Sequence, residues 1–99
     1  MNYKFLFLPL ALLEYEDAVW WYKIRSTSAA ERFVAEVTNK IKLICRDPFR
    51  YRNQYKKFRE TSIKRYPFYI IYFIDEEKKR IIISSIYHHR RSPKRKYNK

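Results

Sequence analysis

The fold turns on YPFYIIYFIDEEKKRIIISSIYHHR, Tyr66 to Arg90. Phe68, Ile70 and Tyr72 alternate with Tyr69, Ile71 and Phe73, so both faces of this run are apolar. Such a run predicts a central strand covered on each side. Asp75 to Lys79 is a charged turn, and Ile81 to Tyr87 returns as a partner strand, which makes a hairpin. At the far end the isoleucines give way to Tyr87, His88, His89, Arg90 and Arg91. That junction has three readings: an active site, a grip on a polyanion, or a buried strand running out into a solvated tail.

Upstream, Phe58 to Lys64 suits a further strand, and Pro48 to Lys57 (PFRYRNQYKK) is a basic, aromatic connector without clear period. Ser28 followed by Glu31 has capping-box spacing and predicts a helix start. Phe33, Val37, Ile41 and Ile44 then form one stripe, Lys40, Lys42 and Arg46 gather toward the electronegative end, and Asp47-Pro48 stops the helix. Before it, Ala11, Tyr15, Ala18 and Tyr22, joined by Leu12, Val19 and Trp21, mark an amphipathic helix from Leu10 to about Arg25. Only Ser26-Thr27 separates the two, so they form an antiparallel hairpin. Tyr3 to Leu8 is a short strand ended by Pro9, whose nitrogen cannot donate to a ladder. The order is β-α-α-β-β-β. The class is α+β: a helical hairpin packed on a small, mainly antiparallel sheet, in one domain over residues 1–99 with a basic tail at 92–99.

The chain has no glycine, which excludes every Gly-rich phosphate loop and leaves any φ > 0 turn to Asn, Asp or other residues. One cysteine, Cys45, cannot close an internal disulfide and belongs to the apolar pattern of the second helix, as expected in a reducing cytoplasm. The apolar run Lys4–Leu13 is too short to span a membrane and meets Glu14, Glu16 and Asp17 at once, so a strand and helix are expected there and no membrane role. Net charge is +13: residues 46–99 hold seventeen bases and five acids, whereas residues 1–45 nearly balance. A basic half of this kind attracts a nucleic-acid backbone or an acidic protein segment. Tyr51, Tyr55, Tyr66, Tyr69 and Tyr97, interleaved with bases, are suited to stack on nucleobases or to serve as core edges. Two histidines without suitably spaced Cys or acids predict no metal site and no cofactor.

Taken together, the element order, Ala11-x6-Ala18-x2-Trp21-Tyr22, Arg65-Tyr66-Pro67-Phe68-x-Ile70-x-Tyr72 and Ile86-Tyr87-His88-x-x-Arg91-x-Pro93 resemble the RelE/ParE superfamily of toxins over nearly the whole chain. The resemblance implies a small basic toxin of a type II toxin–antitoxin module, bound in a hetero-oligomer by a cognate antitoxin. RelE-like members cleave mRNA on the ribosome without a metal; ParE-like members inhibit DNA gyrase. RelE-like proteins carry an arginine two positions after the place of Pro67 and lysines on the preceding strand. Here those places hold Tyr69 and, nearby, Glu60 and Ser62. Arg-Tyr-Pro-Phe followed by His-x-x-Arg-x-Pro is the ParE-like pattern.

The resemblance therefore favours gyrase as target, with ribosome-bound mRNA as alternative and a plain basic nucleic-acid-binding module as a third reading. The expected target-binding residues are Arg65, Tyr87, His88, His89, Arg90, Arg91, Lys94 and Arg95. If the protein is a ribonuclease, His88, Arg91 and Arg65 are its catalytic candidates, since an imidazole beside arginines suits acid–base work at neutral pH. Adjacent strand residues point to opposite faces, so only one of His88 and His89 is expected to face a site. The plainer alternative packs His88 under the helices and leaves His89 in solvent.

Overall fold

The computed structural model describes residues 2–90; Arg91, Lys94, Arg95 and the rest of the basic tail lie outside the described residues. Strand β1 (Lys4–Phe7) leads into α1 (Pro9–Lys23) and α2 (Thr27–Arg46). Then come β2 (Asn53–Tyr55), β3 (Phe58–Ser62), β4 (Phe68–Asp75) and β5 (Arg80–His88). The sheet order is β1-β5-β4-β3-β2. β1 runs parallel to β5 and every other pair is antiparallel. The α+β architecture is as expected, with one strand more: β2, at three residues, is too short to show a period.

The decisive hairpin forms in full, from Phe68 opposite His88 to Asp75 opposite Arg80. A bulge inserts Ser84, whose hydroxyl donates to the Ile71 carbonyl at 3.2 Å. On one face Phe68, Ile70, Tyr72, Ile81, Ile83 and Ile86 meet the α2 stripe Phe33, Val37, Ile41 and Ile44 in a single core. Ala11 and Ala18 let α1 close over the same core. Tyr72 is fully buried, and its hydroxyl donates to the Pro48 carbonyl at 2.6 Å, which fixes the connector after α2. Cys45 is a free, buried thiol whose pKa burial pushes up.

Two local expectations are corrected. Helix α2 is capped by Ser26, which accepts from the Ala29 N–H at 3.2 Å. Ser28 lies inside the first turn and takes a bond from Arg32, so the Ser28–Glu31 pair is not the cap. Leu12 and Trp21 face solvent and not the core. The left-handed turn positions, left to Asn, Asp or other residues by the lack of glycine, fall to bases among the described residues: Lys56 (φ 49°), Arg65 (φ 71°) and Lys79 (φ 55°).

Helix α1 is apolar on its outer side as well. Leu10, Leu13, Trp20 and Ile24 are all exposed and, with Asp17, recur at steps of three and four, the spacing of a helix–helix seam. No helix among the described residues is long and apolar enough to cross a membrane.

Candidate functional site

The site is assembled where β5 runs out. β1 stops at Phe7, opposite Ile83, so among the described residues the last part of β5 has no strand on that side. Helix α1 supplies the missing acceptor. The Glu14 carboxylate, 7% exposed, accepts from the Ser85 hydroxyl at 2.8 Å and from the Ile86 N–H at 3.1 Å. A buried N–H left without a partner costs a large part of its hydration energy, so the carboxylate locks α1 to the sheet just before the histidines. Glu14 was not singled out from sequence. Its signal was there: it falls between Ala11 and Ala18 on the buried side of α1, where an acid needs a reason.

The turn from Ile63 to Pro67 closes against the same end. Ile63 N–H donates to the Phe68 carbonyl at 2.9 Å, and Tyr66 N–H to the Ile63 carbonyl at 3.1 Å. Pro67 has no N–H of its own, but its carbonyl accepts from the His89 N–H at 3.0 Å and lies 3.2 Å from His89 Nδ1. The two sequence motifs are thus bonded to each other. Tyr66 does not reach outward: its ring packs on Tyr22 and Phe33, with centroids 5.3 and 5.1 Å away.

His88 is half-buried on the helical side, edge-on to the Phe68 ring at 5.0 Å. Its Nδ1 accepts from the Arg90 N–H at 3.1 Å, which places the remaining proton of the neutral ring on Nε2. His89 is exposed, yet the two imidazoles stack at 5.0 Å and 18°. They do not point to opposite faces, because the strand ends at His88 and the next residues turn. His88 and Arg90 line a cleft of about 440 Å³ with Glu14, Asp17, Trp21 and Tyr22. Arg65 is exposed on the adjoining turn. The structure therefore gathers Arg65, His88, His89 and Arg90 at one end of the sheet. Tyr87, at 3% exposure, is buried and not presented there.

The opposite face carries a different row. Ser62, Tyr69 and Tyr87 lie side by side on β3, β4 and β5, and Glu60, Ile71 and Ser85 form the next row on that face. Phe68 and His88 pair on the other face, since neighbouring rows alternate. No three His, Cys, Asp or Glu side chains converge among the described residues.

The family model for the ParE toxin of type II toxin–antitoxin systems, parDE, matches residues 5–93. The chain belongs to the ParE toxin family. The ParE fold is also seen in a solved chain of a chromosomal ParDE toxin–antitoxin system from P. aeruginosa, to which this one is similar with a TM-score of 0.73 and 14% identity. The likeness covers 88% of this chain and 96% of that one. No curated protein sequence matches this one. Membership in the ParE family implies an antitoxin partner, and the chain is a type II toxin.

Proposed function

We propose that this ParE-family toxin inhibits DNA gyrase without cutting RNA, in the cytoplasm, and that a cognate antitoxin neutralises it. The carrying observation is the Ser62–Tyr69–Tyr87 row. By resemblance, the RelE-like cations for a scissile phosphate belong at and beside these positions, and cation clusters around the phosphate are what metal-free RNA cleavage requires. Here the row holds a serine and two tyrosines, one of them, Tyr87, buried, and no cation. The histidines and arginines lie at the end of the sheet, with His88 turned to its other face. Purified toxin should stall gyrase supercoiling and leave ribosome-programmed mRNA intact. A-site cleavage that disappears in His88→Ala or Arg91→Ala would establish the RelE-like activity instead.

The expected contact end is Arg65, His88, His89 and Arg90, extended by Arg91, Lys94 and Arg95. For the antitoxin, the exposed seam Leu10–Leu13–Trp20–Ile24 supports an amphipathic partner segment, and the net charge of +13 supports an acidic one. An acidic antitoxin segment should bind with an affinity that falls with salt and weakens in Leu13→Asp or Trp20→Asp, as read by isothermal titration calorimetry.

A further inference from the structure

The connector and hairpin from Pro48 to Arg59 take no part in that end of the molecule. The twelve residues PFRYRNQYKKFR contain five bases and no acid. β3 opposes β4 with Arg59 beside Tyr72 and Ser62 beside Tyr69, so the β2–β3 tip lies away from His88. At about 3.3 Å per residue, the five steps from Phe68 to Phe73 put roughly 17 Å between the two.

Cations and rings are already paired over this edge. Lys57 Nζ sits 4.0 Å from the Phe73 centroid, Lys56 Nζ 5.3 Å from Tyr55, and the Arg50 guanidinium 5.6 Å from Tyr51. Lys40 reaches Tyr51 from α2 at 5.3 Å. Arg59 holds the connector in place by donating to the Tyr51 carbonyl at 2.7 Å. Two of the edge's rings are about half-exposed despite such contacts: Phe49 at 49%, with the Arg59 guanidinium 5.3 Å from its centroid, and Tyr55 at 45%. The tip itself holds Lys56 in the left-handed region, where glycine or asparagine would be easier to accommodate.

The geometry points to a nucleic-acid-binding surface here, separate from the histidine end: Arg50, Arg52, Lys56 and Lys57 take phosphates, and Phe49 and Tyr55 take bases. An edge with spaced charges and half-exposed rings suits a strand of phosphates and bases. An acidic peptide would need an apolar groove to seat its side chains, and two clefts among the described residues, against β1 and against α1, have no residue of Pro48–Arg59 in their lining. The surface does not depend on gyrase being the target, so its failure and that of the proposed function are separable.

The test is fluorescence anisotropy of the full chain with labelled single-stranded and duplex DNA of equal length over a salt series. Polyglutamate serves as a competitor. R50A/R52A/K56A/K57A should lose more than tenfold in affinity and about 3 in the log–log salt slope, as expected for four lost phosphate contacts. A control lacking four charges elsewhere, K4A/K23A/K42A/R46A, should lose less than threefold. F49A/Y55A should weaken single-stranded DNA and spare duplex with the slope unchanged; if both forms weaken together, the rings are not base contacts. Equal losses in the two charge variants would overturn the proposal, as would polyglutamate competing as well as DNA at matched charge. Circular dichroism confirms that each variant is folded.

Discussion

Glu14 shows how much one side chain carries. It stands where β1 would otherwise have to continue, and it serves both a hydroxyl and a main-chain N–H. Glu14→Ala should lower stability by about 2–3 kcal/mol, because two buried donors lose their acceptor at once. Glu14→Gln, which keeps one carbonyl, should recover much of that loss in urea titrations. Tyr72 makes a prediction about alkali. Burial holds its phenol well above the ordinary value, and burial also raises Tyr15 and Tyr22. Stability should therefore stay level up to about pH 10, where free tyrosine titrates, and fall above it, because the unfolded chain gives up these protons first. Tyr72→Phe should make that alkaline limb shallower in melts recorded from pH 8 to 11. At this scale the sequence was least legible. His88 and His89 could be located, but their stacking depended on where the strand stops and on one proline carbonyl.

At the scale of elements, strong patterns were read correctly and short or conflicted ones were not. The β4–β5 hairpin and α2 have long apolar stripes, and both formed where their periods put them. β2 had three residues and no period, so it vanished into the connector. The start of α2 offered Ser26, Thr27 and Ser28 in a row, and only the bond to Ala29 chooses among them. Ser26→Ala should cost about 1 kcal/mol, the usual worth of an N-cap. The turns give the opposite sign. Lys79 closes the β4–β5 hairpin at φ 55°, so Lys79→Gly should stabilise by about 0.5–1 kcal/mol, net of glycine's greater freedom when unfolded. For a domain of this size, that raises the melting temperature by about 2–8 °C. On α1 the sequence misled for a physical reason: the helix is apolar on two sides, and a period alone cannot say which side the sheet takes.

The whole molecule is a small sheet with a helical hairpin on one face, a histidine end and a basic edge. The fold was legible because β4 and β5 are long apolar runs covered on both faces and α2 carries a clear stripe, and the motifs resembled the superfamily. The distribution of the charge was not, since net charge counts bases without saying which edge they share. One global arrangement has a bearing on synthesis. Lys4 to Phe7 pair in parallel with Arg80 to Ile83, at opposite ends of the described chain. A ribosome adding roughly 5–20 residues per second needs about 4–15 s to pass from one to the other. During that interval the nascent polypeptide holds a lone first strand and two helices with no finished sheet beneath them. The histidine end follows the strand that supports it. On the proposed reading, in which that end meets the target, a nascent copy cannot act before β5 is complete, which gives a protective companion several seconds to arrive first.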